Sequence, residues 1–187
     1  MTETDNMQIT IPRVPFPWAV TLVVILSLPL TFYLGRFNFP VWVCFIVWAE
    51  YFTLGGTPKT ARLILPSLPF GAIFGVLWVA TAIFYTNITD HPQNLFVGLI
   101  FGSLWITLLV YLIPKSSIFS EGMLAVFNGL TIFLAVYFTK SIPDIGPMEN
   151  PYWSITNAFI WSMAMSYVGW FFGLLNIFFT FPRKAEQ

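Results

Sequence analysis

Six long apolar runs, separated by short segments that hold nearly all of the charge, constrain this chain of 187 residues more than any other feature. They lie at about 18–34, 39–54, 63–85, 95–113, 122–138 and 152–181. A bilayer interior offers no water to backbone N–H and C=O groups, so a segment that crosses it must satisfy them internally, as a helix does. Roughly 20 apolar residues are needed per crossing. The runs approach or exceed that length. The spacing predicts an all-α polytopic membrane protein, about six transmembrane helices in a single transmembrane domain over 1–187. Hydrophobic residues make up 57% of the chain and charged residues 9%, which leaves too little polar surface for a soluble domain. The lipid bilayer is therefore the first expected partner. Pro40 interrupts the second run early, which leaves a re-entrant second helix and a five-span plan open.

Orientation follows from Lys and Arg, which are enriched in cytoplasmic segments close to spanning helices. In the six-span plan Arg13, Lys59, Arg62, Lys115, Arg183 and Lys184 share one side, and Arg36 and Lys140 the other. Both termini are expected to be cytoplasmic. The N-terminal segment carries Glu3 and Asp5 where a signal peptide has a basic region, so the run from Trp18 reads as a retained first helix. The expected location is a bacterial or archaeal cytoplasmic membrane.

Eight basic and eight acidic residues cancel, so no positive field exists for a phosphate backbone, and nucleic acid is not an expected partner. Cys44 is the single cysteine and His91 the single histidine. That inventory excludes an internal disulfide, a multi-thiolate metal site and a haem ligand pair. No cofactor and no enzyme activity are expected, because no nucleophile, base and orienting group can be assembled from it.

Gly55-Gly56-Thr57-Pro58-Lys59-Thr60 reads as a turn in which glycine ends one helix, Thr57 caps the next and Pro58 takes its first position. Ile113-Pro114-Lys115-Ser116-Ser117 repeats the Pro-Lys-hydroxyl pattern on the same side. Aromatic residues gather near helix ends as interfacial anchors: Phe16, Trp18, Trp42, Tyr51, Tyr85, Tyr111, Tyr152 and Trp153.

Candidate functional residues are the polar and small groups inside the runs. In the sixth, Ser162, Ser166, Gly169, Gly173, Asn176 and Thr180 recur at spacings of 4, 3, 4, 3 and 4, forming one stripe along a helix face. Small residues let helix backbones approach in lipid, and Gly71 to Gly75, Gly98 to Gly102 and Gly169 to Gly173 match the GxxxG form of that rule. The stripe fits close packing within one protomer first, and otherwise a subunit interface or a narrow polar pathway for a small solute. Asn128 lies well inside the fifth run and must face a partner, since an unpaired amide in hydrocarbon costs several kcal/mol. That partner is either another helix or a solute. Glu50 is the only acid inside an apolar run, and it is expected to be neutral, near water, or paired with Lys59 or Arg62. Proton coupling or solute contact is its alternative role. His91, in an outward loop, is a candidate gating residue, with a solvated turn residue as the plainer role. The three-proline segment 141–151 reads as a connector or as a stiff lid.

Trp48-Ala49-Glu50-Tyr51-Phe52-Thr53-Leu54-Gly55-Gly56-Thr57-Pro58-Lys59 and Leu65-Pro66-Ser67-Leu68-Pro69-Phe70-Gly71-Ala72-Ile73-Phe74-Gly75 resemble a family of small bacterial inner-membrane proteins known as a domain of unknown function. The resemblance implies location and no mechanism. Chain length and helix count are also similar to six-helix urea and short-amide channels, in size and architecture alone. The expected function is a homo-oligomeric channel or facilitator for a small polar solute. The alternative is a non-catalytic subunit or assembly factor of a larger membrane complex, held by other membrane-protein partners.

Overall fold

Glycine, proline and asparagine set where the helices stop. The computed structural model describes residues 10–89, 95–180 and 182–184. Its helices are α1 (Phe16–Gly35), α2 (Trp42–Thr53), α3 (Ala61–Thr89), α4 (Leu95–Leu112), α5 (Ser117–Glu121), α6 (Met123–Phe138) and α7 (Pro151–Thr180). Two short strands, β1 (Thr10–Pro12) and β2 (Pro182–Lys184), pair antiparallel. α2 ends in a Schellman motif: the Gly56 N–H donates to the Tyr51 carbonyl and the Gly55 N–H to that of Phe52, with both glycines at positive φ. Pro58 then opens a 3-10 turn, Pro58–Thr60, in which the Thr57 N–H donates to Thr60 Oγ1. The second Pro-Lys segment forms a matching 3-10 turn, Ile113–Lys115.

Four helical segments are long and apolar enough to cross a membrane: Phe16–Gly35, Pro58–Thr89, Phe96–Lys115 and Pro151–Thr180. The expected third helix is longer at both ends. α2 and α6 fall short, with 12 and 16 residues. At 1.5 Å per residue they rise only about 18 and 24 Å, against a hydrocarbon core of ~30 Å. The expected fifth helix is preceded by α5, and Gly122 lies between them. Where the expected second helix begins at 39, α2 begins at Trp42, because Phe39 and Pro40 lie in the turn before it.

The chain runs back and forth between two ends of the bundle. At the near end, β1 meets β2, and the Phe16 ring at the start of α1 stands 5.5 Å from that of Phe52 at the end of α2. At the far end, Asn38 Nδ2 donates to the carbonyls of Lys140 at 2.7 Å and Ile142 at 3.0 Å. Lys59, Arg62 and Lys115 therefore lie at the near end, and Arg36 and Lys140 at the far end.

Two close seams make the core. A Cβ on Gly71 of α3 would collide with the Val126 carbonyl of α6, and a Cβ on Gly129 of α6 with the Leu68 carbonyl of α3. In the second seam Gly169 of α7 faces the Cys44 backbone of α2, and Gly173 the Tyr51 ring. α7 also touches α3 and α6, so these four helices form the centre. α1 and α4 are peripheral, and most of their surface is exposed apolar side chain.

Candidate functional site

α2 and α6, the two helices too short to cross alone, bring the two most polar interior groups together. Glu50 lies one turn before the end of α2, and Asn128 lies in the second turn of α6. Asn128 Nδ2 donates to Glu50 Oε2 at 2.8 Å. Glu50 is 3% exposed, and its Oε1 is buried without a hydrogen-bond partner. The ion pair expected with Lys59 or Arg62 does not form: among the described residues no salt bridge reaches Glu50. The reason is geometric, since both cations follow the Schellman turn and line a surface cleft with Leu54 and Glu121.

Other buried polar atoms lie around this core without partners: Trp48 Nε1 and the Tyr51 hydroxyl on α2, Ser67 Oγ on α3, and Trp170 Nε1 and both amide atoms of Asn176 on α7. Leaving a buried donor or acceptor unmade costs about 1–3 kcal/mol. Tyr51 was expected at the interface with the other helix-end aromatics. It is fully buried because it packs over Gly173, whereas Trp18, Tyr85 and Tyr111 are exposed.

The stripe along α7 is a packing face in its first half. Ser162 Oγ donates to the Phe159 carbonyl and Ser166 Oγ to the Ser162 carbonyl, both within the helix. Gly169 and Gly173 are filled by α2, which leaves Asn176 as the stripe's unpaired amide. A Cβ on Gly98 would meet nothing, although its carbonyl accepts from Trp78 Nε1 at 2.9 Å, while Gly102 lies against the Trp78 ring. His91 lies outside the described residues. The three-proline segment is fixed in place: Asn157 Nδ2 donates to the Pro143 carbonyl and Trp153 Nε1 to that of Ile145.

Each end of the bundle has an opening. The near-end cleft holds about 350 Å³ between Leu54, Thr57, Lys59, Arg62, Ser117 and Glu121. A far-end cleft of about 590 Å³ is bounded by Tyr137, Lys140, Asp144, Met148 and Ser154. Glu50 and Asn128 lie between them, with Tyr137 nine residues beyond Asn128 on α6, about 13 Å along its axis. Neither residue was paired from sequence, because nothing in the order of the chain relates position 50 to position 128.

No curated protein and no solved structure matches the chain. A family model described as a protein of unknown function matches residues 19–180, from the first turn of α1 to the last residue of α7. On that match, this membrane-type helical chain belongs to the DUF1097 family.

Proposed function

We propose that the chain passes a small polar solute across the membrane, as a channel or facilitator, and that Glu50 and Asn128 hold the solute on its way. The observation that carries this reading is Glu50 Oε1, a carboxylate oxygen buried in an apolar bundle with no donor, beside an oxygen satisfied by one amide. A carboxylate kept only for structure would be completed by a second donor, since an unmade hydrogen bond to it costs several kcal/mol. A solute N–H or O–H supplies that donor. The clefts at the two ends support a passage from either side.

In this reading the short α2 and α6 cross as well as the four longer helices, with both termini cytoplasmic. The pairing of β1 with β2, and the gathering of Lys59, Arg62 and Lys115 at the same end, support that orientation. The short α2 and α6 complete the crossing because polar loops and clefts meet their ends within the membrane's depth.

A second reading, a subunit of a larger membrane complex, is favoured by α4. Its exposed face carries Ser103 and Thr107 in a shallow groove among Leu99, Ile100, Leu104 and Leu108; Ser103 Oγ donates to the Leu99 carbonyl within α4, and the small residues along this face let a neighbouring helix approach. Purified protein in liposomes separates the two. Swelling assays with urea, short amides and weak acids should give faster entry than empty liposomes for at least one solute class. Rates equal to empty liposomes for every solute, with a hetero-complex seen by native mass spectrometry, would favour the subunit reading.

A further inference from the structure

Two residues that line the near-end cleft lie one helical turn from buried polar groups of the same helix. Leu54 follows Glu50 by one turn, and Leu63 precedes Ser67 by one turn. At 1.5 Å per residue, Leu54 and Leu63 lie about 6 Å from Glu50 and Ser67 along α2 and α3. The apolar part of the lining is half-buried Leu54, Leu63 and Ile118. The rest of the lining is polar and charged. Lys59 and Arg62 come from the turn before α3 and its first residues, Ser117 and Glu121 from α5, and among the described residues no ion pair joins them.

We infer that this cleft is the mouth of the Glu50–Asn128 site, closed by Leu54 and Leu63, and that its solute carries no net charge. The inference rests on the transport reading and names the solute class. The mouth carries two cations against one anion, so it disfavours cations. Glu50 Oε1 beneath it has no cation beside it, so an anion that passed the mouth would meet an oxygen whose charge nothing offsets. An uncharged solute rich in N–H or O–H donors meets neither barrier and satisfies Oε1. Ser67 Oγ, unpartnered and fully buried one turn below Leu63, is a second polar contact on the same path.

The test uses the full-length chain with Ser67→Cys as a nearly isosteric reporter in a Cys44→Ser background, probed by methanethiosulfonate reagents that differ only in charge and are added from the near side. The uncharged reagent should react fastest, and the anionic one faster than the cationic one. Replacing Lys59 and Arg62 by Gln should lower the anionic-to-cationic rate ratio about fivefold, a factor that corresponds to ~1 kcal/mol of Coulomb energy near water. Leu54→Ala should speed all three reagents. A second reporter, Thr57→Cys at the exposed rim, checks that each variant is folded and reagent-accessible. Reaction at Ser67→Cys only from the far side, or a ratio unmoved by Lys59 and Arg62, would overturn the assignment of the mouth. Neither result depends on solute flux, so the mouth fails separately from the transport reading.

Discussion

Asn128 Nδ2 lies 2.8 Å from Glu50 Oε2 and ties α6 to α2 across the bundle interior. The bond makes the two residues unequal. Glu50→Gln keeps an acceptor for the Asn128 amide and should change stability by less than ~1 kcal/mol. Asn128→Leu leaves a buried carboxylate with no partner and should cost about 1–3 kcal/mol or more. Unfolding in mixed micelles measures both. The double variant Glu50→Leu with Asn128→Leu should cost less than the sum of the singles, because the two groups share one interaction.

Gly71 and Gly129 hold α3 against α6 at backbone distance. Ala at either position must push a helix away from a carbonyl, and a loss of ~3 kcal/mol or failure to fold is expected. Gly98→Ala, where a Cβ meets nothing, should be neutral or stabilise by up to ~1 kcal/mol through helix propensity. Thermal unfolding in detergent ranks the three, and equal effects at all three positions would contradict the seam.

Asn38 sits at φ 61°, in the left-handed region, and its amide clamps the α1–α2 turn to the loop after α6. Asn38→Gly keeps the backbone and loses two hydrogen bonds. Asn38→Ala loses the bonds and adds roughly 1 kcal/mol of backbone strain. The expected order of melting temperature is wild type, then Gly, then Ala.

Cys44 is fully buried in the α2/α7 seam, its sulfur 3.9 Å from that of Met165. A membrane-impermeant maleimide should leave it unmodified in the native protein and modify it completely after denaturation. Rapid native labelling would mean that the seam opens to water.

Much of the architecture was legible where the cause is local. Gly55, Gly56, Thr57 and Pro58 each do at the end of α2 what their chemistry suggests, because a helix cap is decided within a few residues. The helix runs were legible for the same reason, being set by continuous hydropathy. The short helix α5 was missed, since Ile118 and Phe119 stand between Ser117 and Ser120-Glu121 and the segment reads as a polar connector before the helix expected from 122. Glu50 was partly legible. Its isolation in an apolar run marked it as unusual, and the need of Asn128 for a partner was equally plain. Their mutual bond was not, because the nearest charges in sequence, Lys59 and Arg62, lie beyond a turn that faces them away. Tyr51 shows the same limit: its position near a helix end suggested an interface, and only Gly173 on α7 reveals why it is inside.

The central claim is that Glu50 holds a solute in transit, and the most direct measurement is solute entry into liposomes containing wild type or Glu50→Gln, at matched protein content and matched melting temperature. The account predicts that Gln, which offers the Asn128 amide an acceptor but presents its own N–H donors where Oε1 stood, abolishes the entry seen with wild type while the protein remains folded. Entry at the wild-type rate through folded Glu50→Gln would contradict it.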